Sequence, residues 1–217
     1  MVVLTGAGRG FCAGGDVKAM AEGTELGGQT MEERAQALRA RMETSRWLHE
    51  MPKPTIAMMR GPAAGAGIAL AMACDLRIAG DTARLGTAFA RVGYSGDFGG
   101  SYYLTQLVGT AKARELYFTA DLLDAPQALA LGLVNRLVPD ARLEEETMAL
   151  ASRMARGPRV AYRYMKRNLN AAETASAVAP VPARTPAEMD PVLIRFWSCW
   201  LGPEAPASAE APSPAIV

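Results

Sequence analysis

The chain has 217 residues, 23 basic and 22 acidic side chains, a formal net charge of +1 and half its residues hydrophobic, which describes one core-forming globular domain with room for an appendage. The near-neutral balance supplies no basic field for phosphates, which sets nucleic acid aside as a partner, and no apolar run approaches the roughly 20 residues that span a bilayer, which sets a membrane aside. Met1-Val-Val-Leu4 has no basic n-region or cleavage site, so the chain reads as cytoplasmic, and three cysteines without CxxC spacing beside a single histidine, His49, argue against a disulfide framework or a metal centre.

Residues 2–4 form an apolar, β-branched run that predicts a buried strand ending in the turn Thr5-Gly6-Ala7-Gly8-Arg9-Gly10. Thr30 and Glu33 have capping-box spacing, and Met31, Ala35, Leu38 and Met42 recur at helical intervals, so an amphipathic helix is expected to about Leu48. Pro52-Lys53-Pro54 ends it. Residues 55–59 read as the next buried strand, and the glycines of 61–67 turn the chain into an apolar helix over 68–74. A short strand follows at 76–79, and a second glycine-rich stretch, 93–100, precedes a helix over about 102–108. Segments 111–117 and 126–131 read as helical, 134–138 as a strand, 143–155 as a helix, and 162–169 as a last helical segment. Strands alternating with helices give the α/β class. From 171 to 217 the composition changes: eight of the fourteen prolines and twelve alanines fall there, so a domain over 1–170 is expected to be followed by a loosely ordered Pro/Ala-rich tail, with one apolar patch at 192–200.

Two motif sets compete for the glycine loops. Thr5 to Cys12 together with Tyr162 and Lys166 partly fits the TGxxxGxG and YxxxK pattern of a short-chain dehydrogenase, in which the lysine lowers the phenol pKa. Cys12 stands where that pattern needs its last glycine, and no acidic residue is placed to hold a ribose. A polar helix face bearing Tyr162 and Lys166 explains the second half better. The longer constellation is Phe11-Cys12-Ala13-Gly14-Gly15-Asp16, an FxAGxD loop, followed by Gly61 to Asp75, a GxxxGxG loop that ends in Ala73-Cys74-Asp75. With Gly99-Gly100-Ser101, Ala113 to Thr119 and Ala128 to Asn135, this resembles the enoyl-CoA hydratase/isomerase family, the crotonase superfamily, over roughly residues 2–170.

Two glycine turns after buried strands can bring bare backbone N–H groups to one point, and the second leads into a helix whose N-terminal dipole favours negative charge. The same glycines could instead serve only tight strand-to-helix packing. The resemblance assigns the two oxyanion-hole donors to the amides of Gly15 and Ala66, which would grip a thioester carbonyl as it becomes an enolate. It places the adenine against the backbone of Ala13, Gly14, Asp16 and Val17, with Lys18 and Lys166 as phosphate neighbours. Coenzyme A is then part of the substrate, and no separate cofactor or metal is expected. The two glutamates of the family's hydratases correspond here to Ala69 and Phe89, neither of which can activate water. Asp97 stands where several family members carry a catalytic carboxylate, and the active-site pattern is closest to the Asp-dependent enoyl-CoA isomerases of phenylacetate breakdown. As a plain structural residue, Asp97 would cap the following helix or hold the glycine turn.

The resemblance implies a spiral of ββα units, N-terminally incomplete, since the family's first strands and helix would precede Met1. It also implies a homotrimer or a dimer of trimers. The expected activity is double-bond isomerisation of an enoyl-CoA. Two alternatives remain at this stage: an aryl- or acyl-CoA hydrolase or dehalogenase using Asp97 as nucleophile, and a non-catalytic acyl-CoA-binding relative.

Overall fold

The structure is a computed structural model and describes residues 1–23 and 30–174. In chain order the elements are β1 (Val2–Thr5), α1 (Val17–Ala21), α2 (Met31–Glu50), β2 (Thr55–Met59), β3 (Pro62–Ala64), α3 (Ala66–Met72), β4 (Leu76–Gly80) and β5 (Arg84–Gly86). They continue with a 3-10 turn (Phe89–Val92), α4 (Gly100–Thr119), β6 (Leu123–Asp124), α5 (Ala125–Ala130), β7 (Arg136–Val138), a second 3-10 turn (Asp140–Arg142), α6 (Leu143–Ala155) and α7 (Arg159–Thr174).

The strands form two sheets, and from β2 to β5 they alternate between them. One is parallel, in the order β1-β2-β4-β7, and the other has the order β3-β5-β6. Because parallel neighbours need crossovers, each pair of strands is followed by a helix that returns the chain: β2-β3-α3, then β4-β5-α4. This is the repeating ββα unit that the resemblance implies. β2 has all five residues buried, and its alternate side chains serve two faces. Ala57 and Met59 join the main core with Ile68, Leu85, Leu104 and Leu133, while Ile56 and Met58 pack with Ile78, Leu143 and Leu150 beneath α6.

Several expectations shift in detail. β1 is half-buried, because it ends the strand order and has one sheet neighbour instead of two. α3 starts two residues earlier than expected, at Ala66, and ends at Met72. The helices expected at 102–108 and 111–117 are both present, as two parts of α4 broken at Gly109, whose φ of 75° and ψ of 163° no helix interior adopts. α7 runs through Thr174, past the expected boundary at 170, and the tail reading with its apolar patch at 192–200 lies outside the described residues. The capping box at Thr30 and Glu33 forms in both directions.

Two buried cations fasten these layers. Lys166 on α7 donates to the Leu48 carbonyl at 2.8 Å, the Lys53 carbonyl at 3.3 Å and Asp75 Oδ2 at 2.8 Å. The same Asp75 oxygen accepts from the Thr55 N–H at 2.7 Å, so one ion pair joins α7, the end of α2, the start of β2 and the turn after α3. Arg77 on β4 donates to the carbonyls of Leu133, Met72 and Cys74, tying the C-terminal end of α3 to the approach to β7. Burial pushes the neighbouring Cys74 thiol up to about 11, with the Arg77 charge opposing. No described helix is long and apolar enough to cross a membrane.

Candidate active site

The first glycine loop is zipped onto β3. Phe11 and Cys12 N–H both donate to the Pro62 carbonyl, at 3.0 and 3.2 Å, Ala64 N–H donates to the Cys12 carbonyl at 3.0 Å, and Cys12 pairs with Ala63 in a parallel bridge. Residues 13–15 are thereby carried alongside 64–66. Two glycines are required by this closeness. Gly14 has a φ of +96°, and a Cβ there would lie 3.0 Å from the Ala64 carbonyl oxygen and 3.7 Å from the Ala66 nitrogen. A Cβ on Gly67 would overlap the Cys12 carbonyl oxygen. Gly67→Ala is therefore expected to pry the two loops apart and lower the thermal midpoint by an amount equivalent to about 1–3 kcal/mol, read by differential scanning calorimetry.

Ala66 opens α3, so its N–H has no carbonyl partner within the helix, and among the described residues neither it nor the Gly15 N–H donates a hydrogen bond. The two amides assigned to the oxyanion hole are thus on adjacent strands of backbone with their donor capacity unspent. Asp16 does something more local: its Oδ1 accepts from the N–H groups of Lys18 and Ala19, both at 3.0 Å, and caps α1. Ala13 and Gly15 are exposed and Gly14 half-buried, while Lys18 extends into solvent with its side chain 85% exposed, 4.0 Å from Glu22. Lys166 is not a phosphate neighbour. It is buried, and its three donor contacts are all to protein oxygens. That arrangement also removes it as the lysine of a dehydrogenase YxxxK pair.

Asp97 sits in a loop bent by left-handed residues: Gly96 at φ +103°, Phe98 at +48° and Gly99 at +72°. An aromatic residue at positive φ is strained, and such strain gathers where a side chain must be aimed. The Asp97 carbonyl accepts from Gly100 N–H at 2.9 Å, holding the turn through backbone. The N-cap of α4 is Gly99, which has no side chain to cap with. Oδ1 of Asp97 is shielded from solvent.

Beneath this loop the surroundings are apolar. Ala69 is fully buried, and Phe89 is 5% exposed and stacked on Tyr117 at 5.8 Å with 19° between the rings. Gly100 fits among them: a Cβ there would come 3.3 Å from the Ala69 methyl and 2.7 Å from the Tyr117 hydroxyl. Ala88, just before Phe89, is another left-handed residue, at φ 58°. Tyr117 lies within the Ala113–Thr119 run that carries the resemblance, but a tyrosine within an apolar helix reads as core, so the sequence assigned it no role at the site.

A cleft of about 290 Å³ lies between α1, α2 and Tyr94, walled by Met20, Met31, Arg34, Ala35, Leu38 and Tyr94, and none of Gly15, Ala66 or Asp97 lines it. Its mostly apolar walls suit an acyl chain. A different cavity, about 380 Å³, lies near the start of β4 and has His49, Asp75, Arg77, Lys166 and Glu173 on its walls, with none of Gly15, Ala66 or Asp97. The polar groups there are engaged with one another: His49 Nε2 is 3.3 Å from Glu173, Tyr102 donates to Glu173 at 3.0 Å, and Asn170 donates to the His49 carbonyl at 2.8 Å. Among the described residues no cluster of three or more His, Cys, Asp or Glu side chains could hold a metal.

Residues 1–185 match the family described as Enoyl-CoA hydratase/isomerase. A protein assigned as an enoyl-CoA hydratase in Rhodobacter capsulatus is 37% identical over 171 residues, which are 78% of this chain and 64% of that protein. A solved structure assigned likewise, from Streptomyces coelicolor A3(2), superposes with a TM-score of 0.75 at 38% identity, covering 80% of this chain and 63% of that one. The chain therefore spans less than two thirds of the length of these relatives. A Thermobifida fusca protein of the same assignment, solved in complex with acetoacetyl-CoA, is 32% identical with a TM-score of 0.73 over 81% of this chain and 71% of its own. The two glycine loops zipped onto β3, the repeated ββα units and the match through residue 185 agree: the chain belongs to the enoyl-CoA hydratase/isomerase family and has its crotonase fold.

Proposed function

We propose that the protein isomerises the double bond of an enoyl-CoA. The observation that carries this reading is the surroundings of Asp97: a carboxylate aimed by a strained loop, with Ala69 and Phe89 buried at the two places where the family's hydratases carry glutamates. Asp97 takes the proton from C2 of a 3-enoyl-CoA, the amides of Gly15 and Ala66 hold the oxygen of the resulting enolate, and Asp97 returns the proton at C4. One carboxylate suffices for that shuttle. Hydration requires an acid and a base to place water across the double bond. Each backbone donor contributes about 3–4 kcal/mol when charge builds on the oxygen, so the spacing of the two loops matters more than the side chains at 15 and 66.

The acyl group occupies the cleft walled by Met20, Leu38 and Tyr94, and the CoA lies along residues 13–18, as suits a relative of a protein solved with acetoacetyl-CoA. Within the family, the resemblance around Asp97 favours the Asp-dependent isomerases of phenylacetate breakdown. A nucleophilic role for Asp97 would call on a histidine, and His49 is packed against Tyr102 and Tyr103 in the other cavity.

The test is a comparison of two substrates. Turnover of a 3-enoyl-CoA to the 2-enoyl isomer is expected, followed by absorbance of the conjugated thioester, while hydration of crotonyl-CoA stays at the buffer rate. Robust hydration would overturn the assignment of Ala69 and Phe89 and require other acids. Glu115, paired with Lys112, and Asp16, spent on capping α1, are poorly placed to serve. Binding of both thioesters with turnover of neither would identify a non-catalytic acyl-CoA-binding relative.

A further inference from the structure

We infer that Tyr117 is a positioning residue for Asp97: with substrate bound, its phenolic hydroxyl turns its unspent proton to the carboxylate oxygen that is not exchanging the proton and steers the carboxylate between C2 and C4. The inference rests on the reading of Asp97 as the proton carrier. Its starting point is a hydroxyl in an expensive place. Tyr117 Oη is sealed from solvent and has no hydrogen-bond partner among the described residues. Most buried hydroxyls are paired, and one left unpaired weakens the fold. A phenylalanine would fill the same space without that loss.

The surroundings show where this hydroxyl points. A Cβ on Gly96 would lie 3.0 Å from Tyr117 Cε1 and 3.2 Å from Oη, and one on Gly100 would lie 2.7 Å from Oη. The hydroxyl therefore rests against the backbone on both sides of Asp97, and glycine at both positions is what allows the approach. The stack on Phe89 fixes the ring plane, so the hydroxyl has little freedom to turn elsewhere. Burial first, and the Asp97 carboxylate second, push the phenol up to about 12, with the Ser101 hydroxyl, near but outside hydrogen-bond geometry, opposing. Asp97 is the one ionisable group among the described residues that acts on it. Tyr117 thus stays protonated at neutral pH, able to donate a hydrogen bond and unfit to accept the substrate proton.

The chemistry balances with Tyr117 exchanging nothing. The C2–H electron pair moves into the enolate as Asp97 becomes a carboxylic acid. A proton then passes from it to C4, taken up by the C3–C4 π electrons, while the enolate electrons restore the carbonyl and leave the double bond between C2 and C3. Between the two events the carboxyl group must shift by the spacing of two carbons, and its proton is open to exchange with water. A donor fixed behind the loop, bonded to the second oxygen, supplies the pivot.

Tyr117→Phe tests this in the full chain, alone and combined with Asp97→Asn. The single variant is expected to lose kcat by a factor on the order of 10 to 100, the scale of a misaligned catalytic group, with KM unchanged and the thermal midpoint equal or higher. In the Asp97→Asn background the same substitution should remove nothing further, because its effect passes through the carboxylate. An unchanged kcat, a fall in thermal midpoint that accounts for the lost rate, or full additivity of the two losses would each overturn the inference. Loss of rate in Asp97→Asn beside an unaffected Tyr117→Phe would discard the pivot alone. A fully active Asp97→Asn, or a wild type inert toward 3-enoyl-CoA, would discard the reading beneath it.

Discussion

Asp97→Asn is expected to lower isomerisation of a 3-enoyl-CoA by a factor on the order of 100 to 10,000, the usual contribution of a general acid–base group, while CoA affinity and the fold survive. Asparagine keeps the size of the side chain and cannot carry a proton. The backbone carbonyl that holds the turn to Gly100 is untouched by the change, and the N-cap position of α4 is Gly99, not Asp97. A residue needed only for structure would show the reverse, a fall in melting temperature with the remaining folded enzyme fully active. The rate measurement is joined to proton NMR in deuterated solvent. Label appearing at C2 or C4 with the wild type, and its loss in Asp97→Asn, would place the carboxylate at the proton transfer. A nucleophilic carboxylate attacking an acyl or aryl centre would leave those carbons unlabelled.

Lys166→Met is expected to cost about 3 kcal/mol of stability, measured as a shift in the urea midpoint at constant slope. The substitution keeps the apolar stem and deletes the ammonium, so the loss is electrostatic and not a cavity. What remains is an Asp75 carboxylate only 26% exposed that has lost its cation, together with the Leu48 and Lys53 carbonyls that have lost their donor. The pair is shielded enough that screening by salt should recover little of the difference. Pairing Lys166→Met with Asp75→Asn should regain part of it, since the uncompensated charge is then gone while the Thr55 hydrogen bonds keep an acceptor. A shift below 1 kcal/mol in the single variant would show that α7 is held by its apolar contacts and that the ion pair is incidental.

Long elements and loop chemistry were legible in the sequence. The helix α2 announced itself through its capping box, although Met31 and Ala35 of its apolar spacing are exposed, β2 through a mostly apolar run between prolines and glycines, and α6 through a clean amphipathic run. The short strands β3, β5 and β6 were not legible, because two or three residues such as Arg84-Leu85-Gly86 carry no pattern of their own and become strands only when a partner supplies the ladder. The site divides along the same line. Glycine runs and a lone carboxylate can be read along the chain, and it is the family resemblance they carry that puts forward Gly15, Ala66 and Asp97. Tyr117 could not be read this way, since its meaning depends on the fold bringing residues 96–100 and 117 together. Lys166 misled in the opposite sense. A lysine four residues after a tyrosine looks chemical, and the fold uses it to neutralise Asp75.

That same ion pair has a consequence for how the chain acquires its structure. Lys166 and Leu48 are 118 positions apart, and Asn170 reaches the His49 carbonyl across 121. Closing so wide a loop is an entropic debt that falls due before any of the bonds exists, and it joins a parallel sheet whose strands are themselves joined by crossovers. During synthesis, Thr55 and Asp75 emerge and meet each other long before the ammonium that completes their group has been made. The nascent domain is therefore expected to wait, with a half-built polar centre at the foot of β2 and β4, for α7 to arrive. Folding is then expected to be paced by that late arrival and not by the fast local formation of α2 or α6.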